Sequence, residues 1–211
     1  MKIRSTTNGT RPRRKRGIVA IAVAVMAVTT ALVATSPDAQ PAEAGFAANS
    51  GQTGCNGVNM GGYVSLGFRY LSLSSAMTSA EDWSRSNNIN PTDIETYGTS
   101  AATADVVVRD LDYASYCGFD WFDTRNGGTT GLTTCDSVLP WSSCGQHTIR
   151  FSTVYTNVAT TSQRRALACH ENGHAIGLTH ATSDTTCMKP NVVNPPTTFN
   201  PTEIGWINNA Y

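Results

Sequence analysis

Charge is scarce in this chain, and what there is cancels. Only 14% of its 211 residues are Asp, Glu, Lys or Arg, and fifteen of each sign leave no net charge. Seven of the basic residues, Lys2, Arg4, Arg11, Arg13, Arg14, Lys15 and Arg16, crowd into the extreme N-terminus. Residues 45–211 keep eight Lys and Arg against thirteen Asp and Glu, so 8 − 13 gives −5. No basic patch survives there, which excludes nucleic acid as a partner and removes any pull toward an anionic membrane surface. Internal repeats are missing, so no solenoid or propeller is expected. Long apolar runs are missing too, with one exception. Histidine is rare, with four copies in all.

The exception is Ile18 to Val33, an almost uncharged run rich in Ala and Val that follows the basic cluster. Ala42-Glu43-Ala44 then offers small residues flanking a cleavage point. Basic, apolar and small-residue regions in that order read as a secretory signal peptide, residues 1–44. The alternative is an uncleaved anchor, for which the run is near the lower length limit. Residues 45–211 are then one domain, long enough for its own core. The expectation is a secreted, extracellular monomer with no stable membrane association once the leader is gone.

All six cysteines, Cys55, Cys117, Cys135, Cys144, Cys169 and Cys187, follow the leader. An even number in an exported chain reads as a disulfide framework. Many pairings are open to six cysteines. The favoured set starts with Cys135–Cys144 across a short loop containing Pro140. Cys169–Cys187 comes next, leaving Cys55–Cys117.

Three of the four histidines fall in one window, His170-Glu171-Asn172-Gly173-His174-Ala175-Ile176-Gly177-Leu178-Thr179-His180. Four residues apart, His170 and His174 share one face of a helix and reach one metal. Gly177 adopts positive φ at low cost, so it ends the helix and turns the chain back. That return brings His180 round as a third imidazole. Three protein ligands with one open position is the pattern of a catalytic zinc. Glu171 stands beside the open position, where it serves as general base to a zinc-bound water. The fourth histidine, His147, reads as an ordinary strand or loop residue.

This window resembles the extended zinc motif of the metzincin metalloproteases, and most of all their matrixin branch. Met188 follows His180 by eight residues and is succeeded by Lys189-Pro190. Matrixins carry a methionine at that distance, in a tight turn beneath the zinc. The C-terminal Phe199 to Tyr211 is similar to the short helix that closes matrixin catalytic domains. Ala181 stands where matrixins usually show serine, and Val192 where they show tyrosine. The resemblance implies an α+β fold: a twisted mixed sheet, an active-site helix and a small irregular C-terminal subdomain. It also implies a zinc endopeptidase acting on protein or peptide substrates, with Met188 packed under the imidazoles and not coordinating. Two other functions remain open at this point. One is a zinc-holding module or toxin that cuts nothing. The other is a zinc hydrolase of a non-protein amide.

The remaining elements follow from periodicity. Tyr63 to Leu73 reads as a strand, Ser75 to Ser86 as a helix with Met77, Ala80 and Trp83 on one face, and Asp93 to Tyr97 as a second strand. Ala104 to Leu111 reads as a buried strand and His147 to Tyr155 as an alternating one. Residues 45–62 read as a loose lead-in, and 112–146 as a long loop rich in Gly and Cys. Within that loop Asp120, Asp123 and Asn126 offer oxygen ligands of the kind calcium takes, although they match no calcium-loop motif and a solvated turn is the simpler reading. Thr160 and Gln163 form a capping box ahead of a helix from Thr161 to Ile176.

Overall fold

The computed structural model describes residue 45 and residues 54–55, 61–111, 115–121, 129–190 and 194–211. The expected leader, residues 1–44, lies outside them, as do Asp123, Asn126 and Val192. All described residues belong to one compact unit, 40–211. Among them no helix is long and apolar enough to cross a membrane.

A five-stranded mixed sheet organises this unit. Its strands are β1 (Ser65–Tyr70), β2 (Glu95–Gly98), β3 (Val106–Leu111), β6 (Gly131–Val138) and β7 (Cys144–Ser152), in the order β2-β1-β3-β7-β6. Neighbours run parallel from β2 to β7, and only β6 is antiparallel, to β7. A two-stranded hairpin, β4 (Ser115–Tyr116) with β5 (Phe119–Asp120), stands apart from it. Its two turn residues, Cys117 and Gly118, both have positive φ, 56° and 77°, as a twist-matched hairpin turn requires.

The helices are α1 (Ser75–Ser84), a single turn α2 (Thr153–Thr156), α3 (Thr161–Ala175) and α4 (Pro201–Ala210). Ser74 caps α1 through its side chain, and its own N–H donates to Asp110 Oδ1 on β3 at 2.9 Å. That bond pins the start of α1 to the sheet. α1 runs on through a π-helical segment, Arg85–Ile89.

Register explains the core. Phe68 pairs with Val106, and Val108 with Ile149. Residues two apart share a face, so Leu66, Phe68, Val106, Val108, Ile149 and Phe151 line one side of three neighbouring strands. All six are buried in one cluster with Met77 and Ala80 of α1 and Ala168 and Ala175 of α3. α1 packs on α3, and α3 also lies against β6 and β7. β3 and β7 sit inside the sheet, which is why the Val106-Val107-Val108 run is buried throughout.

Two readings of the sequence need correction. Residues 112–146 are not one loop: they hold β4, β5 and the eight-residue strand β6. The strand expected over His147 to Tyr155 begins at Cys144 and stops at Ser152, because the chain then takes a helical turn in which Asn157 N–H donates to Thr153 O at 3.0 Å. The three disulfides are Cys55–Cys117, Cys135–Cys144 and Cys169–Cys187, the favoured set.

Candidate metal and catalytic site

α3 is delivered to the site with both ends fixed. At its start Thr160 Oγ1 accepts from Gln163 N–H at 3.2 Å, and Gln163 Oε1 accepts from Thr160 N–H at 2.8 Å. At its end Gly177 has φ +96°. Leu178 N–H donates to Gly173 O at 2.8 Å and Gly177 N–H to His174 O at 3.0 Å, the paired bonds of a Schellman cap. Such a cap needs a left-handed residue where Gly177 stands, and only glycine takes that conformation without strain. The chain reverses there, and His180 returns to the helix.

The three imidazoles converge. Their ring centroids stand 4.7, 4.9 and 5.0 Å apart, close to an equilateral triangle. His170 Nε2 lies 3.1 Å from His174 Nε2 and 3.2 Å from His180 Nε2. Two nitrogens bound tetrahedrally to one zinc at its usual distance of about 2.0–2.1 Å would be about 3.3 Å apart. The remaining ring nitrogens are committed elsewhere. His170 Nδ1–H donates to Cys187 O at 2.8 Å, and His174 Nδ1–H to Leu178 O at 2.7 Å. Those carbonyls assign the proton to Nδ1 and leave the Nε2 lone pairs facing one another. Burial lowers the pKa of His170 to about 4, and lowers those of His174 and His180 as well. Neutral imidazoles with converging lone pairs suit a metal cation, so the triad can bind one.

Glu171 is 3% exposed and its carboxyl meets β6. Thr133 Oγ1 lies 2.8 Å from its Oε2 and 2.9 Å from its backbone oxygen, positions that one hydroxyl hydrogen shares. Burial pushes the Glu171 carboxyl up to about 8, with the Thr133 bond opposing. Gly131 makes the room: a Cβ there would stand 2.6 Å from Glu171 Oε1. Neither Gly131 nor Thr133 was expected at the site, since both fell in the presumed loop. Their only signal was the run Leu132-Thr133-Thr134 ahead of Val138, whose β-branched residues favour a strand.

Met188 lies fully buried beneath α3, where a Cβ on Gly173 would overlap its sulfur. Its N–H donates to Thr186 Oγ1 at 3.1 Å, and its carbonyl accepts from Ala181 N–H at 3.0 Å, next to His180. Thr186 in turn donates to Glu203 Oε2 at 2.5 Å, tying this turn to α4. Met188 is therefore packing, outside the group of converging imidazoles. His147 sits on β7, buried, and is not among them. Cys55 is held in its disulfide. Asp120 lies in β5, so the calcium expectation falls largely outside the described residues. One contact was unforeseen: Gly45, the first residue after the expected leader, donates its N–H to Thr179 Oγ1 at 2.9 Å and accepts from Thr179 N–H at 2.8 Å.

No protein-family model matches this chain, and no curated protein does. Among solved structures it is similar to one titled "Structure of Myroilysin", at 11% identity and a TM-score of 0.49, over 72% of this chain and 82% of that one.

Proposed function

We propose that this chain is a secreted zinc-dependent endopeptidase of the metzincin type, most like the matrixin branch. The observation that carries the reading is the convergence of the His170, His174 and His180 ring nitrogens beside a buried, hydrogen-bonded Glu171. In this reading the three histidines hold zinc. The metal supplies the charge that acidifies water and polarises a peptide carbonyl. Glu171 takes a proton from the attacking water and returns it to the leaving amine. Thr133 orients that carboxyl, and Gly131 leaves it space. Two features support a catalytic over a purely structural metal: among the described residues three side chains converge as ligands, and a structural metal needs no adjacent base. The disulfide framework supports an oxidising, extracellular setting.

The test is cleavage of denatured casein or gelatin by the zinc-replete chain. Activity should vanish on exhaustive chelation and return with zinc. Full activity after chelation, or none from folded zinc-replete protein, would overturn the proposal.

A further inference from the structure

Behind the active-site helix lies a buried polar cluster that the hydrolytic mechanism does not use. Glu81 and Ser84 of α1, Asn88 of the π-helical segment and Asn172 of α3 are each no more than 1% exposed. Glu81, Ser84 and Asn88 lie three and four residues apart, on one helical stripe. Asn172 faces that stripe from α3, between Glu171 and Gly173 of the histidine window.

The hydrogen bonds there do not balance for an ionised Glu81. Both hydrogens of the Asn88 amide are used, toward Ser84 Oγ at 3.2 Å and Thr197 O at 3.0 Å. One hydrogen of the Asn172 amide goes to Ser84 Oγ at 3.0 Å. Four acceptors form no well-aligned hydrogen bond, Glu81 Oε1, Glu81 Oε2, Asn88 Oδ1 and Asn172 Oδ1, although the Asn172 side chain lies close enough to Glu81 to favour its charged form in part. The donors left to meet them are two, the Ser84 hydroxyl and the second Asn172 N–H. A proton on Glu81 turns one acceptor into a donor and makes the count three against three.

Charge accounting agrees. A buried carboxylate without a cation is costly. Arg85, the cation that acts on Glu81 among the described residues, is engaged with Tyr70 Oη at 3.1 Å, Thr96 Oγ1 at 3.2 Å and Asp82 at 3.7 Å. The groups facing Glu81 are Asp82 and Arg85 on its own helix and segment, Tyr70 on β1, and Asn172 and Glu171 on α3. Burial dominates and pushes Glu81 up to about 8. The Asn172 side chain and Arg85 oppose it, while Asp82 and Glu171 reinforce it.

We propose that Glu81 is a positioning residue, held as a neutral carboxylic acid between α1 and α3, which donates to Asn172 and so fixes the rotation of the helix bearing His170, Glu171 and His174. The proton is a property of the fold. Its consequence for the site rests on the reading of those three residues as a hydrolytic metal centre.

Two kinds of measurement separate these parts. The first needs no activity. Infrared difference spectra of the folded chain at neutral pH should show the C=O stretch of a buried protonated carboxyl, retained in Glu171→Gln and missing from Glu81→Gln. A folded-state affinity above the unfolded value means that the native chain holds a proton the unfolded chain has released. Stability of the parent relative to Glu81→Gln should therefore fall as pH rises from the ordinary carboxylate range to about 8, by up to about tenfold in the folding constant per pH unit, and level off above. Glu81→Met serves as an apolar isostere should Glu81→Gln fold poorly. No such band, or identical pH dependence in parent and variants, overturns the proton. A parent whose stability depends on sodium, potassium or calcium, lost in Glu81→Gln, would show a bound cation in its place and equally overturn it.

The second kind reads the helix. Zinc loss to a competing chelator, and peptide cleavage, should rise and fall respectively with alkaline pH in the parent, and both changes should be blunted in Glu81→Gln. Matching alkaline profiles in parent and Glu81→Gln would overturn the positioning role. Absence of cleavage in every zinc-replete chain would instead overturn the peptidase reading, while the zinc-loss profile would still judge Glu81.

Discussion

His170 donates its Nδ1–H to the carbonyl oxygen of Cys187 at 2.8 Å, and Cys187 is itself bonded to Cys169, the residue before His170. The disulfide and the hydrogen bond thus close a small circuit between α3 and the turn that carries Met188. One side chain is held by the strand of chain to which its neighbour is covalently tied. The arrangement orients His170 without calling on any acidic partner, and it couples the redox state of Cys169–Cys187 to ligand geometry.

Opening that disulfide should therefore cost more than stability. A Cys169→Ala, Cys187→Ala double variant should lose about 2–5 kcal/mol of folding free energy, measured by denaturant titration with metal bound and with metal removed. Zinc affinity should fall together with stability. A variant that loses stability but retains the parent's zinc affinity would show that the Cys187 carbonyl keeps its place without the covalent tie.

Glu171→Gln keeps the shape and the Thr133 partner of the side chain and removes the proton acceptor. Zinc content and melting temperature should stay near the parent's, and peptide hydrolysis should fall by about 10²–10⁴. His174→Ala should lose zinc and activity together. Rates for Glu171→Gln within a few-fold of the parent would refute the role assigned to this carboxyl.

β6 supplies a second contrast. Gly131→Ala places a methyl 2.6 Å from the ordinary position of Glu171 Oε1 and must displace the carboxyl. Thr133→Val removes its hydrogen bond without crowding it. Hydrogen bonds to charged groups contribute about 1.5–3 kcal/mol, so Thr133→Val should lower kcat by roughly ten- to a hundredfold with little change in KM. Gly131→Ala should be at least as damaging while binding zinc normally. Steady-state kinetics with metal analysis distinguishes both from simple misfolding.

The histidine window was legible because its chemistry is written in local spacing. A four-residue step on a helix, a glycine that reverses the chain and a third histidine leave one geometry, and the capping box at Thr160 fixes where the helix begins. The Val106-Val107-Val108 strand was equally plain, since burial on both faces demands a continuous apolar run. β6 was not legible because two of its three buried residues, Thr133 and Thr134, are polar. Thr133 turns to Glu171, and Thr134 accepts from Arg150 at 2.6 Å while donating to Asp136 at 2.9 Å, so the strand lacks the apolar alternation that marks a sheet face. The cluster around Glu81 was hidden for a related reason. Glu81, Ser84 and Asn88 look like the solvent side of α1, and only the approach of Asn172 from 88 residues beyond Ser84 makes them interior. The helix expected over Ser75 to Ser86 runs two residues past α1 and stops inside the π-helical segment Arg85–Ile89, which carries no periodicity of its own.

Gly177 gives the most local test of the whole arrangement. Its φ of +96° is needed for the Schellman cap that turns the chain from His174 back to His180. Alanine there meets backbone strain of about 1–3 kcal/mol. The helix has two ways to respond. It can keep the cap and bear the strain, in which case stability falls and zinc binding holds. Or it can relax the turn, in which case His180 swings out and the site retains only His170 and His174. His180 is the most exposed of the three histidines, with little packing to hold it in place against such a shift. The second response should win: Gly177→Ala should keep most of its folding stability, lose zinc affinity by at least about tenfold and lose activity in proportion. Gly177→Asn, which tolerates the left-handed region better, should recover part of both. Equal zinc affinity in the parent and Gly177→Ala, measured by competition with a chelator, would mean that the turn does not set the position of His180.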